Sequence, residues 1–315
     1  MHRLRLLVVT ARYPTPDRPS AGAFVRDRLV DPAIHATVIA PADYLAPGWR
    51  RYLAMIRDAL TRRGRFDGVE GHFVVPSGAV AVLAALVRGL PLVVFAHGSD
   101  VREIAHRNRL WRWFARRVIR SADAVIANSE DTAAGVRALG GVAVIVSPGV
   151  DLARFEVRPR PARSSVLYLG GAAPSKGVEV ARLLADTLVG PGIREVDPQD
   201  VPALMASHDV VLVPSREEGF GLVAAEAIAA GRWVVASAAG GLREAVTDGV
   251  NGTLVADGDF AGALSRVPDY IPEVVAATAE RFAMPHTWSA INQIWRSVLA
   301  RRGQLRTVED ETGIQ

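Results

Sequence analysis

The residues best equipped for chemistry lie between His208 and Ser237, in HDVVLVPSREEGFGLVAAEAIAAGRWVVAS. An apolar run that predicts a buried strand ends at Pro214-Ser215, a glycine-bearing loop follows, and an Ala-rich run predicts a helix up to Gly231. Strand, loop and helix start in that order form an anion cradle. Amides at Gly219, Phe220, Gly221 and Leu222 have no intrahelical acceptor and the helix dipole favours negative charge there, so a phosphate fits on Phe220 and Gly221. Glu218 and Glu226 have seven residues between them. Eight helical steps separate them by about 12 Å, the reach from a sugar ring across a diphosphate to a ribose, so one carboxylate is placed to hold each end of a nucleotide sugar. The plainer alternative is a helix-start charge and a solvated glutamate. Against it, a carboxylate inside LVAAEAIAA sits on a small-residue, buried helix and needs a partner.

Composition narrows the possibilities. Of the 37 basic residues in this 315-residue chain 36 are arginine, and the one lysine is Lys176. No cysteine is present, which excludes disulfides, thiolate metal sites and a cysteine nucleophile. The first 154 residues carry 22 basic against 13 acidic side chains, and the remainder 15 against 20. MHRLRLLVVT is too short and too charged for a signal-peptide core and reads as a buried first strand. The longest low-charge stretch, 73–87, is broken by Pro76 and Gly78 and falls short of the roughly 18 residues a spanning helix needs. A cytoplasmic protein is expected.

The elements that must position these residues recur along the chain. Short apolar runs at 4–10, 36–40, 92–98, 124–129 and 143–149 alternate with helical segments, which predicts a parallel sheet covered on both faces. An aperiodic, Arg- and Pro-rich stretch, 151–165, reads as a linker. The pattern restarts at 166–170, 209–215, 232–237 and 252–255, predicting a second α/β domain. That domain is short, with one good helix at 178–189, a weak IREVD (193–197) and a short helix over 200–207 where a further strand and helix are expected. The expected boundaries are 1–156 and 157–285 for the two domains, 286–302 for a C-terminal helix returning toward the first, and 303–315 for a frayed polar tail.

Residues 208–255, with PSREEGFG, the Glu218/Glu226 pair, EAIAAG and GGLREAVTDGVNGTLV, resemble the nucleotide-sugar domain of family 4 glycosyltransferases, retaining enzymes of the GT-B fold. The resemblance extends in order through ARYPTPDRPSAGAFVRD (11–27), VVFAHGSDV (93–101), SADAVIANSE (121–130), VIVSPGVDLARF (144–155), VLYLGGAAPSKG (166–177) and HTWSAINQIW (286–295). It implies two Rossmann-like domains facing a cleft. It also implies that Glu218 contacts the donor sugar, Glu226 the ribose, and the amides of Phe220 to Leu222 the sugar and phosphates. By the same likeness Lys176 neutralises the diphosphate as it departs, His97 faces the donor sugar, and Gly22 belongs to the first-domain glycine loop near the phosphates. For Lys176 the alternative is a surface charge in a turn, for His97 a satisfied loop histidine, and for Gly22 a plain turn glycine.

The chain departs from the family pattern in two places. Gly171 stands where the family carries an arginine on the diphosphate; Arg216 is the candidate substitute, with an ordinary surface arginine as its alternative. The shortening between Lys176 and Glu218 removes part of the base pocket. The reaction implied is transfer from a nucleoside-diphosphate sugar to a carbohydrate or lipid-linked acceptor hydroxyl, by same-face displacement in which the diphosphate takes the acceptor proton, with no metal or cofactor. Asp257-Gly258-Asp259 copies a metal-binding Asp-x-Asp but reads as a turn. GGAAPSKG lacks the third glycine of the dinucleotide fingerprint. REIAHRNRLWRWFARRVIR (102–120) fits either an anionic membrane surface or an amphipathic helix packing Leu110, Trp113, Phe114 and Val118 inward. No nucleic-acid reading motif accompanies the charge. The alternative function is a non-catalytic glycosyltransferase-like subunit that binds a partner enzyme.

Overall fold

The computed structural model describes residues 3–42 and 48–303; most of the polar tail lies outside them. Two sheets are present among these residues, and every strand pairing within them is parallel. The first contains β1 (Leu4–Thr10), β2 (Ile34–Ile39), β3 (Gly68–His72), β4 (Leu92–Ala96), β5 (Ala124–Ala127) and β6 (Val144–Ile145), in the order β2-β1-β3-β4-β5-β6. Leu6 to Val9 and Leu92 to Ala96 are buried on both faces, as the continuous apolar runs require of a covered parallel sheet. The low-charge stretch 73–87 becomes the helix Ser77–Arg88, closed by Gly89 in the left-handed conformation and packed on that sheet.

One strand was not legible. β3 reads GVEGH, with no alternation and no apolar run, yet Glu70 and His72 are 0% and 1% exposed in the middle of the sheet. Its glycines answer to space: a Cβ at Gly68 would lie 2.4 Å from the Trp295 ring, and one at Gly71 2.8 Å from the Ala81 methyl.

The second sheet contains β7 (Val166–Leu169), β8 (Thr187–Val189), β9 (Val210–Val213), β10 (Trp233–Ser237) and β11 (Gly252–Val255), ordered β11-β10-β9-β7-β8. The expected helix over 178–189 is in fact a helix, Val178–Leu184, followed by β8. IREVD forms no strand; only a single bridge joins Gly190 and Arg194. From β8 the chain turns through Pro191-Gly192 and reaches the short helix Val201–Ala206 directly, so the sheet has one strand fewer than the first.

The linker is docked. Arg160 bonds Asp209 at 2.8 Å and Asp269 at 2.6 Å, and the fully buried Arg232 donates to the carbonyls of Arg158 and Pro159. The chain crosses between sheets twice, and the crossings pair: Val150 N–H donates to Phe282 O, and Met284 N–H to Val150 O. The helix Met284–Arg301 then lies against the first sheet, burying Ile291, Trp295 and Val298 with Leu6, Val8, Ile34, Val93, Phe95 and Ile126.

Candidate functional site

Open parallel sheets bind ligands outside the carboxyl ends of their strands, where the strand order reverses. In the second sheet that point lies between β7 and β9, and there the fold brings Lys176 and Glu218 together. Lys176 closes the 3-10 turn Pro174–Lys176 after β7, and Glu218 stands in the loop after β9. Their side chains meet at 2.7 Å, and Ser215 Oγ donates to the same carboxylate oxygen at 3.2 Å. In the first sheet the reversal lies between β1 and β3. Gly22 caps the helix Ala23–Leu29 after β1, with φ 70°, and a side chain there would run into the Arg12 carbonyl.

His97 follows β4, on the other wall of the cleft. The backbones touch there: a Cβ on Gly219 would come within 2.2 Å of the His97 carbonyl, and one on Gly98 within 2.7 Å of Gly219 Cα. The His97 ring is gripped by Phe24 and Phe73, with centroids 4.7 and 4.6 Å away. Burial, then the neighbouring His72 and Arg12, holds its pKa well below the ordinary histidine value, so the ring is neutral at pH 7.

Gly221 adopts φ 98° and starts the helix Leu222–Ala229, leaving the first amides of that helix without intrahelical acceptors. Phe220 turns its ring into the core, edge-on to Phe282, so only its backbone faces the cleft loop. Glu218 lies before this helix, so the spacing of eight helical steps does not hold between the two glutamates; only its second half is helical. Glu226 is partly buried and has no hydrogen-bond partner among the described residues. Burial pushes its pKa up to about 7, with Asp27 across the cleft adding to the rise and Arg154 opposing it.

Two candidates fall away from this cluster. Arg216 is exposed and leans toward Glu179 at 3.9 Å. Gly171 adopts φ 79°, and a Cβ there would lie 2.9 Å from the Pro191 carbonyl. The shortened connection after β8 therefore occupies the space an arginine side chain would need.

Sequence reasoning missed four participants. Asn128, after β5, donates to the His97 carbonyl at 3.1 Å and leaves its own Oδ1 buried without a partner among the described residues. Arg102 joins Asp131 and reaches the Glu218 carbonyl at 3.4 Å. Glu70 and His72 lie behind His97, hidden in the polar strand β3. Asn128 had a signal, standing at a strand end like His97; the others had none. A solvent-open pocket borders His97 and is lined by Phe24, Arg28, Phe95, Ile126, Met284 and Ile291.

Elsewhere, Asp257 and Asp259 form a turn and a helix N-cap on Gly262, as expected. The helix Arg109–Ser121 corrects the inward-packing alternative. Only Ala115, Val118 and Ile119 are buried, while Leu110, Trp113 and Phe114 are 62%, 49% and 40% exposed among arginines. No helix among the described residues is long and apolar enough to cross a membrane.

Comparison with known proteins agrees with this arrangement. Residues 1–149 match the family model described as a glycosyl transferase 4-like domain, and residues 148–268 the one described as glycosyl transferases group 1. D-inositol 3-phosphate glycosyltransferase of Actinosynnema mirum is 32% identical over 78% of this chain and 74% of that protein. Its counterpart in Saccharomonospora viridis is 31% identical over 77% and 73%. Among solved structures, Anabaena HepE in complex with UDP-glucose superposes with a TM-score of 0.73 at 21% identity, covering 94% of this chain and all of that one. Sucrose-phosphate synthase of Thermosynechococcus elongatus gives 0.70 at 18%, covering 96% and 100%.

Proposed function

We propose a specific reaction for this chain on one plain premise: it belongs to the family 4 glycosyltransferases. Its two parallel-sheet α/β domains have the GT-B architecture. The reading is that it moves a sugar from a nucleoside-diphosphate donor to an acceptor hydroxyl with retention at the anomeric carbon. The bond from the anomeric carbon to the diphosphate oxygen breaks, the acceptor oxygen bonds on the same face, and its proton passes to the leaving diphosphate.

The observation that carries this reading is the Lys176–Glu218 contact at the switch point of the second sheet, opposite His97. Glu218 uses one oxygen for Lys176 and Ser215 and keeps the other for a sugar hydroxyl. Lys176 supplies charge where the leaving group develops its own, and the start of the helix Leu222–Ala229 supplies amides to the phosphates. Because this role falls to an ammonium, no metal is invoked. Glu226 takes the ribose hydroxyls. The acceptor belongs in the cavity beside His97, and a carbohydrate or lipid-linked hydroxyl fits glycan or glycolipid synthesis at the inner face of a membrane. The exposed Leu110, Trp113 and Phe114 among arginines favour such a surface. A non-catalytic subunit is not favoured, since both family models match and the named relatives are transferases.

Calorimetric titration with UDP, GDP and ADP tests the donor site. One nucleotide is expected to saturate, with Lys176→Ala and Glu226→Ala each weakening it by about tenfold, the scale of one charge-assisted hydrogen bond. Absence of binding to all three by folded protein rejects the reading. The nucleotide that binds selects the sugar donors for a turnover assay.

A further inference from the structure

Behind His97 runs a chain of buried polar groups that the proposed reaction does not use. His97 Nε2 and His72 Nδ1 are 3.1 Å apart, and His72 Nε2 is 3.1 Å from Glu70 Oε1. The two imidazoles are nearly coplanar, at 12°, which aligns the lone pair of one nitrogen with the N–H of the other. On the far side of Glu70, Trp295 Nε1 donates to Oε2 at 3.2 Å and the Arg28 guanidinium lies 3.6 Å from the same oxygen. Arg28 is paired in turn with Asp31 at 3.3 Å, and Asn292 donates to Asp31 at 2.8 Å.

With both imidazoles neutral, such a chain can be polarised in two ways. With Glu70 ionised, Oε1 accepts from His72 Nε2–H, His72 Nδ1 accepts from His97 Nε2–H, and His97 Nδ1 is left bare. With Glu70 protonated, every bond reverses and His97 Nδ1 carries a proton. Trp295 can only donate and does so to the Glu70 carboxylate, while the Arg28 guanidinium, 3.6 Å from the same oxygen, adds its positive charge. Burial pushes Glu70 upward, but Arg28 together with the His72 and Trp295 hydrogen bonds holds it below the usual carboxylate value. The first polarity follows.

We propose that Glu70 and His72 are positioning residues that fix the proton of His97 on Nε2, so that His97 offers an unprotonated Nδ1, a hydrogen-bond acceptor, to a ligand hydroxyl. Nδ1 has no protein partner among the described residues, and His97 borders the cavity beside the cleft. The ligand class is thereby narrowed to a hydroxyl donor; a bare carboxylate or phosphate oxygen at this nitrogen would be repelled. The relay itself stands without the transfer reaction, and only the identification of its partner as a sugar or acceptor hydroxyl rests on that reading.

The test needs no substrate. The full chain is labelled with ¹⁵N-histidine, and the ring tautomers of its seven histidines are read by two-bond ¹⁵N–¹H correlation at pH 7.5, with His72→Gln and His97→Gln for assignment. The expected result is neutral His72 and His97, each with the proton on Nε2. A proton on His97 Nδ1, or a doubly protonated ring, overturns the proposal. Glu70→Gln, whose amide offers His72 a donor as readily as an acceptor, is expected to give His97 a sizeable population of the Nδ1-protonated form. An unchanged tautomer in this folded variant also overturns it, because a merely structural Glu70 would leave the ring signature alone. If Glu70→Gln does not fold, the wild-type spectrum decides. Failure here leaves nucleotide binding untouched, so the two readings fail separately.

Discussion

At the scale of single residues, the binding role proposed for Glu226 comes with a cost. Its carboxyl, without a hydrogen-bond partner among the described residues and pushed up to about 7, is mostly protonated at pH 6 and mostly ionised at pH 8. An ionised carboxylate accepts from both hydroxyls of a ribose, so binding of the preferred nucleotide is expected to tighten by about tenfold between those pH values, roughly one pKa unit of linkage. Glu226→Gln should bind more weakly and lose that dependence, which calorimetry at pH 6, 7 and 8 would show. Stability carries the opposite sign. A carboxyl whose folded pKa is raised stabilises the fold below its unfolded value, and that contribution is lost as pH rises through about 7. Glu226→Gln should therefore melt higher than wild type at pH 8 and alike at pH 5. Lys176, Glu218 and Glu226 were legible because they flank apolar strands and glycine loops whose geometry is standard. Glu70 and His72 were not, since a buried pair of polar residues in a strand has no pattern of its own; only the tertiary partners Arg28 and Trp295 make the burial of Glu70 tolerable.

At the scale of elements, two loops meet without side chains. Gly98 and Gly219 face each other across the cleft, and Gly219 has room for no Cβ beside the His97 carbonyl. Gly219→Ala places carbon 2.2 Å from a backbone oxygen, so the two loops must separate by an ångström or more. The contact lies at the rim of both domain cores, so the melting temperature should change by only a few degrees, while nucleotide-sugar turnover should fall by more than tenfold because displacement of about 1 Å at reacting groups is costly. Normal turnover in this variant would show that the closely apposed arrangement is not the working one. The alternation of strands and helices, and hence the two sheets, was legible from apolar runs. The failures were local. LLADTLV carries helix-forming residues into a strand because β8 pairs with β7, and long-range pairing overrides local propensity. The Arg-rich linker read as free because its anchors, Asp209, Asp269 and Arg232, lie far along the chain.

At the scale of the whole molecule, charge and exposed apolar surface coincide in the first domain. The helix Arg109–Ser121 buries one narrow face and presents Leu110, Trp113 and Phe114 outward, with Arg117 stacked on Trp113 at 5.2 Å. A second helix, Gly48–Thr61, leaves Trp49 and Leu53 62% and 57% exposed, with Arg50 over the Trp49 ring. Aromatic rings with arginines suit the headgroup region, where the ring enters the acyl boundary and the guanidinium meets phosphate. Each basic residue near an anionic surface contributes about 1 kcal/mol, and burying a ring roughly 1.5–3 kcal/mol. The chain is accordingly expected to cosediment with vesicles containing phosphatidylglycerol and not with pure phosphatidylcholine, and to be released at high salt as surface charge is screened. Trp113→Ser with Phe114→Ser should cut the bound fraction at least tenfold and leave nucleotide affinity unchanged and melting within a few degrees, because neither ring belongs to the buried Ala115, Val118 and Ile119 set. Equal cosedimentation of wild type and double variant would move the contact elsewhere on the basic domain. No cosedimentation at low salt would instead point to an acceptor taken from solution and delivered to the cavity beside His97 without a membrane.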